Sequence, residues 1–145
     1  DRDGRATTYA TNPLLLTGVG TDCQHSFFQQ FHQGTTPTAF EFYAVETAVH
    51  PYKKQHDVLL SHAHAQSEAL AFGDVNVSDR FKKVIGNHPS CFWTLTEISP
   101  ASLGYLFATQ EHRTFVQGVI LNINSFDQFG VELGKTIAKR LQNEK

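Results

Sequence analysis

The run from Gly118 to Lys135 reads GVILNINSFDQFGVELGK. Residues 116 to 123 are mostly aliphatic, uncharged and short, which predicts a buried strand. Asn124 and Ser125 follow, and then a helix is expected over residues 126–143, with Phe126, Phe129, Leu133 and Ile137 as its apolar stripe. Ser125 with Gln128 three residues later fits a capping box. A buried strand that feeds a capped helix is the repeating unit of a parallel α/β sheet. Ligands of such sheets sit beyond the carboxyl ends of the strands, and helix N-termini there offer N–H groups to anions. The corner from Asn124 to Gln128 is therefore where a phosphorylated or acidic ligand is expected.

Working outward, the same alternation recurs. Leu14, Leu15 and Leu16 form a short strand candidate. Thr21 or Asp22 can cap a helix that runs to Gly34, with Phe27, Phe28 and Phe31 facing inward. Residues 39–45 alternate and are rich in aromatics, as a strand does. A helix over 55–72 stops at Gly73, residues 91–98 read as a strand, and Ser99-Pro100 opens a helix with proline where its missing N–H costs nothing. The order strand–helix, four times over, predicts an α/β three-layer sandwich: a parallel sheet flanked by helices, in a single domain of 145 residues.

Composition narrows the function. Hydrophobic residues make up 40% and charged residues 18%, a globular balance. The net charge of −2 argues against a nucleic-acid binder, which carries a basic face. Cys23 and Cys91 lack the paired spacing of a zinc site, and two distant thiols do not make a disulfide framework, so they read as reduced thiols of a cytoplasmic protein. No apolar run approaches the length needed to span a bilayer. His62 and His64 could pair on a metal, but on a helix they point about 200° apart, so no metal is expected. The chain contains no methionine and opens on a polar stretch, as an excised portion of a larger protein would.

On the last helix, Gln128, Glu132 and Lys135 share one face at spacings of four and three. Spacing alone fits an ordinary solvated face, with Gln128 closing the cap and Glu132 pairing with Lys135, better than a ligand-facing stripe. The motif changes that weighting. Residues 118–135 match throughout the C-terminal signature of the glucose-6-phosphate isomerase family, which runs through aliphatics into aromatic-Asp-Gln-x-Gly-Val-Glu-x-x-Lys. Three further stretches resemble that family in its own order: Gly20 to Gln29 with His32 to Thr35, Ala65 to Leu70, and Glu111 to Gly118. The resemblance covers roughly residues 9 to 140.

The resemblance implies a sugar-isomerase (SIS) type domain, here a C-terminal part of a larger enzyme. It implies interconversion of glucose 6-phosphate and fructose 6-phosphate, by ring opening and proton transfer through an enediol. The residues that match the family's functional positions are His25, for ring opening, Lys135, for charge near the ring oxygen and reacting carbons, and Gln128, for substrate contact. An imidazole titrates near neutrality and suits the first role. No metal or organic cofactor is implied. The family forms homodimers in which the matching histidine comes from the adjacent subunit.

Departures from the pattern are equally specific. Thr17 to Thr21 replaces the family's Gly-Glu-Pro-Gly-Thr, and Gly86 to Ser90 replaces Gly-Asn-Arg-Pro-Thr. The family's base is a glutamate in Gly-x-x-Glu-Ser-x-Gly-Lys, a motif that does not occur in these residues, and the phosphate-holding Ser/Thr loop does not occur either. The 145-residue chain alone is accordingly expected to be inactive. The competing reading is a non-catalytic sugar-phosphate-binding module of the same fold. A third reading, an extracellular signalling role, finds no signal-peptide pattern in support.

Overall fold

In the computed structural model of the protein, which describes residues 1–144, the chain divides into two compact units. One is Leu15–Gly104. The other joins Asp1–Leu14 to the chain from Tyr105 onward.

The unit Leu15–Gly104 is built on a strand–helix–strand crossover. It contains α1 (Gly20–Ser26), α2 (Phe28–Gln33), β1 (Phe40–Val45), α3 (Lys53–Phe72), a short 3₁₀ turn (Arg80–Lys82) and β2 (Ser90–Leu95). The strands pair in parallel, with Phe42 opposite Phe92 and Tyr43 opposite Trp93. Parallel neighbours need a long crossover, and α3 provides it. Strand pleating sends alternate side chains to opposite faces. On one face Phe42 stacks on Phe92 (5.7 Å between centroids), and His64 of α3 lies flat over Phe92 at 4.2 Å. On the other, Tyr43 and Trp93 stack at 6.1 Å, and the half-buried Trp93 leaves its Nε1 without a hydrogen-bond partner. Ala44 and Leu70 are the buried hydrophobic residues among those described, and Leu70 is fully enclosed.

The far end of α3 is tied down by backbone. Its last carbonyls have no partner within the helix. Those of Leu70 and Ala71 instead accept from the amides of His88 (3.0 Å) and Asn87 (2.7 Å) on the segment entering β2. This close approach requires Gly73 and Gly86, both with left-handed backbone (φ 63° and 72°). Between them, Asp74 and Val84 form an antiparallel bridge, Asp79 caps the 3₁₀ turn, and the Gln33 amide of α2 donates to the carbonyls of Phe81 and Lys83, each at 2.9 Å.

The α/β class and the parallel sheet match the sequence reading, with the sheet two-stranded among the described residues. Five local readings need correction. Leu14, Leu15 and Leu16 are irregular and exposed, because a lone apolar triplet becomes a strand only where a sheet edge is there to pair with it. The helix toward Gly34 is two helices, broken at Phe27, where the backbone leaves the helical region (φ −127°). Phe31 packs edge-on against Phe28 (5.6 Å) and Phe40 (4.9 Å), which draws the aromatic face of α2 toward β1. Thr21 and Asp22 lie inside α1, and neither caps it. The second strand ends at Leu95 rather than at 98.

The fifth concerns residues 116–123. They are not a strand: α4 runs from Pro100 to Ile120, and α5 from Phe129 to Asn143. The start of α4 is a reciprocal cap, in which Ser102 Oγ accepts from the Ser99 amide (2.9 Å) and Ser99 Oγ from the Ser102 amide (3.2 Å). No described helix is long and apolar enough to cross a membrane.

Candidate functional site

The turn between α4 and α5 decides where Gln128 and Lys135 stand. The amide of Ile123 donates to the Gly118 carbonyl (2.9 Å), and that of Asn122 to the Val119 carbonyl (3.3 Å). Asn122 is left-handed, with φ 53°. A six-to-one bond enclosing a five-to-two bond, with a left-handed residue after the last turn, is a Schellman ending, and asparagine is the residue that most readily replaces glycine there. Gly118, which is buried, lies against the side of Ser125: a Cβ at 118 would overlap Ser125 Oγ and come within 3.1 Å of Ser125 Cβ. Ser125 Oγ donates back to the Thr114 carbonyl (3.0 Å). The expected capping box is therefore not formed, because Ser125 closes α4 rather than opening α5.

Gln128 occupies the N-cap position of α5 without a side-chain cap bond, so its amide is left to face outward. Its carbonyl accepts from Val131 (2.9 Å) and Glu132 (3.3 Å), which starts the helix. Lys135 follows two turns on, roughly 10 Å along the axis at 1.5 Å per residue. Gln128, Glu132 and Lys135 are all exposed, and among the described residues Glu132 and Lys135 form no ion pair. Lys135 thus keeps its ammonium for another anion. The N–H groups of the first turn have no carbonyl four residues back and carry the positive end of the helix dipole. A carbonyl or hydroxyl acceptor near Gln128 and a developing negative charge near Lys135 suit this stripe.

In the unit Leu15–Gly104, His25 lies in the last turn of α1, with its side chain exposed. Gln128 and Lys135 belong to α5 and its N-cap, and His25 belongs to the other unit. The same unit also holds a cleft of about 250 Å³ lined by His32, Thr38, Gly86, Asn87 and His88. Burial pushes the His32 imidazole below its ordinary range, and the neighbouring His88 pushes the same way, while a hydrogen bond with the Gln66 side chain opposes them. His32 Nδ1 is buried without a partner. The pairing of His32 with His88 was not legible in sequence, since 56 positions separate them, although each lies in a stretch whose pattern the family resemblance singles out. His64, considered above for a metal pair, is committed to its stack on Phe92.

The comparisons with known proteins agree with one another. The family model described as "Phosphoglucose isomerase" matches residues 1–145. The glucose-6-phosphate isomerase of Albidiferax ferrireducens is 48% identical over 139 residues, covering 96% of this chain and 26% of the relative. That of Polaromonas naphthalenivorans is 46% identical and covers 98% of this chain and 27% of its own length. A crystal structure of a glucose-6-phosphate isomerase from Chlamydia trachomatis superposes with a TM-score of 0.87 at 36% identity, over 97% of this chain and 28% of that one. The chain thus spans about a quarter of the length of the relatives it matches. With a family model matched from end to end and a solved relative of the same fold, the chain belongs to the phosphoglucose isomerase family.

Proposed function

We propose that these residues form part of the C-terminal sugar-isomerase domain of an enzyme that interconverts glucose 6-phosphate and fructose 6-phosphate. The observation that carries the reading is the exposed stripe of Gln128 and Lys135 on α5, in a chain of this family, with Lys135 free of an ion pair to Glu132. Lys135 places a fixed positive charge where an enediol or opening ring gathers negative charge, the kind of stabilisation that counts most when preorganised. Gln128 orients a sugar hydroxyl through its amide. His25 moves the proton of ring opening, and in a homodimer it serves the site of the partner subunit. The chemistry as read uses side chains alone.

The carboxylate that carries the proton between C2 and C1 is not among these assignments, because the family's glutamate motif does not occur in the 145 residues. A positioned general base is typically worth 10²–10⁴-fold, so the chain by itself should show no useful turnover.

The test is a coupled assay of fructose 6-phosphate isomerisation on the 145-residue chain and on a polypeptide of full family length containing it. Turnover by the longer protein only, reduced at least about a hundredfold by Lys135→Ala and by His25→Ala, is the expected result. Turnover by the 145-residue chain itself would place a base within it and overturn the assignment. Undiminished turnover in Lys135→Ala would remove that residue from the site.

A further inference from the structure

Three successive carbonyls at the C-terminal end of α4 are taken up by the first nine residues of the chain. Arg2 donates its amide to the Asn122 carbonyl (2.9 Å) and its Nε to the Ile123 carbonyl (3.3 Å). Tyr9 donates its hydroxyl to the Leu121 carbonyl (2.8 Å). These partners lie 112 to 121 positions apart in sequence. The arm that presents Arg2 is itself organised: Asp1 Oδ1 accepts from the amides of Asp3 (3.0 Å) and Arg5 (2.8 Å), the Asp1 carbonyl accepts from Gly4 (3.0 Å), and the Arg5 guanidinium pairs with Asp3.

A helix end of this kind carries the negative pole of the macrodipole and carbonyls that its own backbone cannot satisfy. A guanidinium and a phenol hydroxyl answer both needs. The turn they hold is the one that aims α5: it lies between the Schellman bond of Ile123 and the Ser125–Thr114 bond, five residues before Gln128.

We propose that Arg2 and Tyr9 are positioning residues for the isomerase reaction, acting through the α4–α5 turn to hold Gln128 and Lys135 in register. The inference rests on the function proposed above and adds to it two residues that touch no substrate. A misplacement of about 1 Å in a catalytic group can cost on the order of a hundredfold, so a loosened turn should be visible in turnover.

The experiment uses an isomerase of full family length that carries this segment. Arg2→Ala/Tyr9→Phe is made alone and in a Gln128→Ala/Lys135→Ala background. Kinetics with fructose 6-phosphate are read beside hydrogen exchange at the amides of Asn122, Ile123, Val131 and Glu132. The expected result is a loss of at least about fivefold in kcat in the parent, under about twofold in the background, and faster exchange at all four amides. Arg2→Lys, whose ammonium can still reach the Ile123 carbonyl, should restore most of the loss. The same factor in both backgrounds would mark a merely structural arm and overturn the proposal. So would unchanged exchange, which would show that the arm does not hold the turn, or faster exchange with unchanged kcat. If Gln128→Ala/Lys135→Ala itself leaves kcat intact, the proposed site has failed, and exchange alone then decides whether the arm is a clamp.

Discussion

Replacing Gly118 by alanine should destabilise the protein even though it removes a glycine from a helix. In an exposed helix interior Gly→Ala is favourable by about 1 kcal/mol. At Gly118 the added Cβ overlaps Ser125 Oγ, so the hydroxyl must rotate away and its bond to the Thr114 carbonyl is lost, at about 0.5–1.5 kcal/mol. Rotation does not clear the site. The Cβ still meets Ser125 Cβ at 3.1 Å and the Ile123 carbonyl oxygen at 3.2 Å, and the latter is backbone within the Schellman turn. Overpacking of this kind typically costs about 1–3 kcal/mol. The sum is a net loss of about 0.5–3.5 kcal/mol after the propensity gain is subtracted.

Gly104, also inside α4, is the internal control. A Cβ there meets nothing within 4 Å, so Gly104→Ala should stabilise by up to about 1 kcal/mol. Urea unfolding of the parent and both variants, compared by midpoint at constant slope, measures the difference. Gly118→Ala combined with Ser125→Ala should recover only part of the loss, since the contact with residue 125 Cβ persists. If Gly118→Ala proves as stabilising as Gly104→Ala, the close approach of the turn to α4 is wrong, and with it the account of how α5 is aimed.

Two further outcomes are expected. Gly86→Ala should cost more than about 3 kcal/mol and shift the thermal midpoint down, because a left-handed residue loses about 1–2 kcal/mol with a side chain and the new Cβ would press on the backbone of Phe72 and on the Gly73 nitrogen at 2.6 Å. Only the backbone could move aside, so no rotamer change relieves it. His32 gives a pH signature. Its folded form prefers the neutral imidazole, so the unfolded state takes up a proton first as pH falls. Stability should be full above the ordinary histidine pKa of about 6.5, decline as pH drops through that value, and level off below the lowered folded one. His32→Gln should flatten that part of the stability–pH curve, and an unchanged slope would refute the role of its burial.

Much of the candidate site was legible in the sequence because its chemistry is local. Gln128, Glu132 and Lys135 share a helix face by spacing alone, and a separate stretch of family resemblance, Gly20 to Gln29, singled out His25. The middle strand–helix–strand crossover was equally plain, since β1 alternates, α3 ends on Gly73, and both carry their own turn signals. Residues 116–123 defeated the reading because a short apolar run fits a buried strand and a helix end equally well. What decided it was Asn122 turning left-handed and the Ser125 side chain folding back on Gly118, and neither is visible in periodicity.

What the sequence determined by itself is the family, the α/β class and the identity of the residues on the polar face of α5, all of which follow from which residue types stand at fixed offsets. What only the tertiary structure decided are the meetings of distant segments: Arg2 and Tyr9 at the end of α4, Gln33 at the loop after α3, His32 beside His88. The physical reason is that helix faces and caps are set by neighbours within a turn or two. A carbonyl at a helix end accepts from whatever donor the chain brings back to it, and a donor more than a hundred positions away leaves no mark on the local pattern.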